Sequence, residues 1–157
     1  MGEVYFYHLT TTPVEVSLPQ LLGKARGAGW RVLVRSSDEA LLTRLDDVLW
    51  QRPEDGFLPH GRAGGAYDEE QPILLGDRPA EGFDCVMGVG GAAVEPGELP
   101  LLARACVLFD GHDAQALDAA RGQWKSLTDA GCGAQYWAQD GTRWVKKAEK
   151  PAASEGK

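Results

Sequence analysis

WRVLVRSSDEALLTRLDDVLWQRPEDGFLPHGRAG, residues Trp30 to Gly64, decides the fold, because a strand, an amphipathic helix and a long turn follow one another there without interruption. Arg31 to Arg35 alternates basic and aliphatic residues, and Val32, Leu33 and Val34 favour a strand buried on at least one side. Ser36 is placed to cap the next helix, with Glu39 three residues on completing a capping box. Leu41, Leu42, Leu45, Val48 and Leu49 then fall on one helical stripe. Trp50 lies off that stripe, about 80° around the helix from Leu42, so its indole is expected to be half exposed. Phe57 follows in a Pro- and Gly-bearing loop that no periodicity organises. Two exposed aromatics so close together suit an interface anchor. The same two side chains would equally serve to cover the helix end and plug the sheet.

Outward from this stretch the chain alternates strands and helices. Glu3 to Leu9 (EVYFYHL) reads as a first, interior strand, in which His8 has no second ligand type nearby and reads as a core or edge residue. Ser17, Pro19 and Gln20 read as a helix start, followed by Leu18, Leu21, Leu22 and Ala25 on the apolar face and Gly27 and Gly29 as the stop. Strand, helix and strand make a βαβ unit, which implies parallel pairing and a right-handed crossover. Residues 51–72 show no clear period, and loops that long usually carry function or tolerate insertion. Ile73 to Leu75, Phe83 to Val89 and Ala105 to Phe109 read as further strands.

Gly88 to Ala93 (GVGGAA) formally fits the G-x-G-x-x-A dinucleotide fingerprint, but Pro96 and Gly97 break the helix that fingerprint requires, so a tight turn is expected. A helix over about Asp113 to Ala130 carries Ala116, Leu117, Ala120, Trp124 and Leu127 on its stripe, with Arg121 and Lys125 along one border. Two cations beside an indole suit a carboxylate joined to a large apolar side chain; a solvated basic edge over a core Trp accounts for the same residues. Cys132 to Ala138 and Thr142 to Val145 flank Asp140-Gly141, a strong signal for a closing hairpin. Beyond Lys146 the charged, Pro- and Ala-bearing end reads as disordered.

At 157 residues, 43% hydrophobic and 25% charged, the chain has the size and composition of one globular α/β domain, expected over residues 1–146 with a tail over 147–157. No apolar run is long enough for a membrane span and no signal-peptide pattern opens the chain, which points to the cytoplasm. Cys85, Cys106 and Cys132 are odd in number and far apart, reading as buried thiols with no metal or disulfide framework. The excess of 23 acidic over 16 basic residues argues against direct nucleic-acid binding and for action through other proteins.

The run RVLV, then DE-A-RLD-LW, then RP, F-PH and AG, resembles the chi subunit of bacterial DNA polymerase III, with weaker similarity from VYFYHL to the helix before Gly131. The resemblance implies a single, mostly parallel Rossmann-like sheet flanked by helices, without catalytic residues, cofactor or metal. It also implies a non-catalytic accessory subunit of a DNA-directed DNA polymerase, a nucleotidyltransferase complex. Such a subunit bridges two partners in DNA replication. One is the psi subunit of the clamp loader or an equivalent subunit, met by Trp50, Phe57, Pro59 and His60. The other is the acidic, Phe-ending C-terminal tail of single-stranded DNA-binding protein, met by Arg121, Trp124 and Lys125, since a carboxylate wants Arg and a Phe wants an apolar slot. Leu117 stands where the best-known members carry a lysine, and Gly61-Arg62 where Asn-Leu is usual, so tail binding is expected to be weak and salt-sensitive. The competing reading is a nucleotide-binding Rossmann-like enzyme that uses the Gly88 to Ala93 turn.

Overall fold

The computed structural model describes residues 2–51, 59–141 and 143–152. Its strands are β1 (Glu3–Leu9), β2 (Val32–Arg35), β3 (Gly61–Arg62), β4 (Ile73–Leu75), β5 (Cys85–Gly88), β6 (Arg104–Asp110), β7 (Ala134–Asp140) and β8 (Arg143–Lys150). Its α-helices are α1 (Val14–Gly27), α2 (Glu39–Gln51) and α3 (Ala114–Asp129). The strands form one sheet in the order β3-β4-β2-β5-β6-β1-β7-β8, parallel throughout except that β8 runs antiparallel to β7.

Period-two alternation sorts the strand side chains onto two faces. One face collects Tyr7, Leu9, Val32, Val34, Met87 and Leu108 and is covered by Leu18, Leu22, Leu42 and Leu45 of α1 and α2. The other collects Val4, Phe6, Leu33, Val86, Val107 and Phe109 and is covered by Ala120 and Leu127 of α3 and by Leu99 of a 3₁₀ segment, Pro96–Leu101. This is the mostly parallel α/β sheet expected, with a C-terminal hairpin at one edge.

Several boundaries differ from the sequence reading, each for a local reason. Helix α1 starts at Val14 behind Pro13, whose φ of −72° already suits a helix entry, so Ser17 lies inside the helix with its hydroxyl 2.6 Å from that of Thr12. Asp38, not Ser36, caps α2: its carboxylate accepts from the Leu41 N–H at 3.1 Å, and a charged acceptor gains more from the helix N-terminus than a hydroxyl does. Ser36 acts one step earlier, accepting from the Asp38 N–H at 3.0 Å. The long connection after α2 holds the two-residue strand β3 and a 3₁₀ turn, Asp68–Glu70, both too short to show a period. Strand β8 runs on to Lys150, which places residues 147–150 in the sheet and not in the tail expected there.

Two polar ties position the elements around the carboxyl ends of the strands. Gln139, on β7, accepts through Oε1 from three successive N–H groups after β1, those of Thr10, Thr11 and Thr12 at 2.9, 3.0 and 3.2 Å, and donates through Nε2 to Thr12 Oγ1 at 2.7 Å. Arg35, buried at the end of β2, pairs in fork geometry with Glu98 at 2.9 and 2.6 Å and donates to the carbonyls of Arg78 and Ala93, so one guanidinium fixes the loops on that side. The Arg35 hydrogen bonds hold the Glu98 carboxyl below the usual carboxylate range.

Gln139→Ala should cost about 1 to 3 kcal/mol in urea unfolding, because three backbone donors lose their acceptor together. A loss under about 0.5 kcal/mol would mean that water replaces the carboxamide without penalty. Glu98→Gln should cost a similar amount at neutral pH. Since folding depresses the Glu98 pKa, its contribution is present above the unfolded value and is lost as pH falls through the folded one. The gap between wild type and variant should therefore begin to narrow below the ordinary Glu value of about 4.3 and close only beneath the depressed folded one.

Candidate functional site

The larger hollow, about 770 Å³, opens at the carboxyl ends of the parallel strands, where open α/β sheets commonly bind ligands. Its lining does not suit a nucleotide. The donors after β1 converge on Gln139, leaving no free nest for a phosphate. The glycine turn after β5 takes positive φ at Gly90 (+61°) and Gly91 (+85°), and a Cβ at Gly90 would come within 2.7 Å of the Leu41 side chain, so the turn packs against α2. No α-helix opens on it, as expected from Pro96 and Gly97; the 3₁₀ segment follows instead. Glu15, Asp38, Asp110 and Asp113 stand around this hollow and repel phosphate.

A second hollow, about 370 Å³ and almost wholly apolar, is lined by Arg121, Trp124, Tyr136 and Ala148. The α3 sequence places its upper wall: Asp113 caps the helix by accepting from Gln115 and Ala116 N–H groups, and Arg121 and Trp124, three apart, then share a face over the sheet. Trp124 is half-buried, with its ring edge-on to Phe6 (5.5 Å) and Tyr136 (6.1 Å). It is thus both core and wall, since one side of the indole still faces the hollow. The Tyr136 hydroxyl lies 3.0 Å from His8 Nδ1, and burial raises the Tyr136 pKa while the Arg121 charge opposes that rise. Burial lowers the His8 pKa, and His112 and Arg121 push it further down, so His8 is a neutral hydrogen-bond partner at neutral pH.

Lys125 is not part of this wall. Its amine is exposed and bonds Asp129 at 2.8 Å, a partner that raises its pKa, so the expected pair of cations beside the indole reduces to Arg121. Arg121 itself makes no ion pair among the described residues. Leu117, one turn earlier, packs half-buried against the α3-side core. Tyr136 and Ala148 escaped the sequence reading. The alternation of β7 flags Tyr136 as facing α3, whereas Ala148 has no signal until the register of β8 is known.

Trp50, near the end of α2, belongs to a separate surface. Trp50 is 55% exposed and lies over the His60 ring, 4.4 Å between centroids. His60 is buried, with Nε2 3.0 Å from Asp46 Oδ1, so of the expected contact residues it supports the indole from beneath and does not itself face outward. Pro59 is exposed beside it, and Phe57 lies outside the described residues. Arg62 bonds Thr43 at 3.0 Å and pairs with Glu39, which ties edge strand β3 to α2. Trp50 and the Arg121 hollow sit toward opposite edges of the sheet, on the order of 30 Å apart at the usual strand spacing. Among the described residues no three His, Cys, Asp or Glu side chains gather as metal ligands, and no helix is long and apolar enough to cross a membrane.

Comparison with known proteins draws these features together. Residues 1–135 match the family model of the DNA polymerase III chi subunit, HolC. DNA polymerase III subunit chi of Escherichia coli is 39% identical over 51 residues, 32% of this chain and 35% of that one. The Haemophilus influenzae protein of the same name is 34% identical over 73 residues, 45% of this chain and 51% of that one. The alignments thus span at most about half the length of either relative. The family match instead runs from the first residue into β7, taking in Trp50, the buried His60 beneath it and the whole of α3 with Arg121. On that extent, the chain belongs to the DNA polymerase III chi subunit family.

Proposed function

We propose that this chain is a non-catalytic accessory subunit of the DNA polymerase III holoenzyme, joining the clamp loader to the C-terminal tail of single-stranded DNA-binding protein. The observation that carries the reading is the second hollow, where one guanidinium, without an ion-pair partner among the described residues, borders an apolar slot made by Trp124, Tyr136 and Ala148. A peptide that ends in Phe presents a carboxylate and a ring within a few ångströms of each other. Arg121 takes the first as a charge-assisted pair, and the slot desolvates the second. Burying most of a Phe ring contributes about 1.5 to 3 kcal/mol, so neither half suffices for a stable complex alone.

The clamp-loader side of the bridge rests on Trp50. An indole more than half exposed and held from below by His60 is a rigid, low-entropy anchor of the kind that dominates protein interfaces. In this reading Phe57 and Pro59 join Trp50 in the contact, with psi or an equivalent clamp-loader subunit as the partner. The distance between the two surfaces leaves room for both partners at once.

A fluorescently labelled peptide ending in Asp-Ile-Pro-Phe should bind the wild-type chain, and Arg121→Ala should weaken it about tenfold or more, as should removal of the terminal Phe. Binding indifferent to Arg121→Ala would place the tail elsewhere. In a pull-down with clamp-loader subunits, Trp50→Ala combined with Phe57→Ala should lose the partner while leaving the peptide affinity unchanged. Loss of both interactions together would mean a folding defect and remove the case for two surfaces.

A further inference from the structure

We propose that β8 is an added wall of the tail site, in which Lys147 and Lys150 receive the acidic residues that precede the terminal Phe. This rests on the reading of the Arg121 hollow as the tail's seat. The family match ends at residue 135, so all of β8 lies beyond it, yet Ala148 of β8 closes the hollow. The strand is an exposed sheet edge, and in RWVKKAEK it carries four basic residues against one carboxylate in a chain whose net charge is −7.

Register decides which of these cations lie next to Ala148 on the strand. Tyr136 lies opposite Ala148 and Trp137 opposite Lys146, so a bulge leaves Lys147 as the extra residue beside Ala148. Lys150, opposite Ala134, is two residues beyond Ala148 and shares its face. On that face its charge reaches Asp129 at the end of α3, whose carboxyl is held low first by Lys125 and further by Lys150. Lys146 is different: its amine bonds Glu149 at 3.0 Å. Neither Lys147 nor Lys150 has a carboxylate within ion-pair distance among the described residues.

The rest of the site needs such charge. Leu117 is turned into the core and Lys125 is held by Asp129, so α3 offers Arg121 alone to an acidic ligand. An extended peptide whose Phe fills the slot and whose carboxylate meets Arg121 has its preceding residues at the rim, where β8 supplies the complementary charge. An acidic peptide fits better than single-stranded nucleic acid, because two lysines next to a slot for one ring do not make a track of phosphate contacts. Lysines on an edge strand also discourage edge-to-edge association, a role that would not distinguish one peptide from another.

That difference sets the experiment, which uses the full chain, fluorescence anisotropy at low salt, and two peptides, Asp-Asp-Asp-Ile-Pro-Phe and Asn-Asn-Asn-Ile-Pro-Phe. The wild type should prefer the acidic peptide by about tenfold. Lys147→Gln with Lys150→Gln should cut that preference to about twofold and leave the Asn peptide unchanged. Lys146→Gln, which removes the same charge from a cation already paired, should leave the preference intact. If the double variant keeps its preference while Arg121→Ala still abolishes binding, β8 has no part and the hollow stands. If neither peptide binds the wild type, or Arg121→Ala changes nothing, the hollow is not the tail's seat and both readings fall. Displacement of the acidic peptide by a poly-dT oligonucleotide, dependent on Lys147 and Lys150, would overturn the assignment in favour of nucleic acid.

Discussion

Strand β1 is enclosed on four sides, and the remaining architecture follows from satisfying it. Both of its edges are hydrogen-bonded in parallel, to β6 on one side and β7 on the other. Its Tyr7 and Leu9 are buried on one face and its Val4 and Phe6 on the other. A parallel neighbour cannot arrive by a hairpin, so β6 must reach β7 by a crossover passing over β1, and α3 is that crossover. The helix therefore lies above Phe6, which brings Trp124 to its ring and sets Arg121 at the border of the covered area. Because the Tyr136 side of β7 faces the same helix, the hollow under Arg121 is a product of the crossover that encloses β1.

The same topology produces a crevice at the carboxyl ends of the strands, the usual ligand position in such sheets. Here the chain fills it from within. The carboxamide of Gln139 takes the place an anion would occupy over the three donors after β1, and the glycine turn is packed against Leu41 and Ser36. Carboxylates around the opening add repulsion toward phosphate. Under the proposed function the working surfaces have moved from the crevice to the two edges of the sheet.

Those edges are built differently. Strand β3 is two residues long and is covered through Arg62 by α2, so it exposes little backbone. Strand β8 is eight residues long and open, anchored on its inner face by Trp144 edge-on to Tyr7 at 5.1 Å and elsewhere lined with lysines. The long edge offers length and charge, and the short one offers an indole held by a buried imidazole.

The sequence by itself determined the inner strands and the helices but not the sheet's edges, because the information for the former is local and periodic. The apolar runs of β1, β2, β5 and β6, the Leu stripe of α2, the broken glycine fingerprint and the Asp140-Gly141 turn each carry their reading within about ten residues. It also singled out Trp50, Arg121 and Trp124, the first because it left its stripe and the others because a cation and an indole shared a border. Tertiary structure decided what those residues meet. That His60 is buried under Trp50, that Lys125 is captured by Asp129, that Asp38 outcompetes Ser36 as a cap, and that Tyr136 and Ala148 complete the hollow all depend on strand register and on competition among nearby charges. A one-residue change in the pairing of β8 with β7 would turn Ala148 and Lys150 to the other face, and nothing in RWVKKAEK read alone fixes that register.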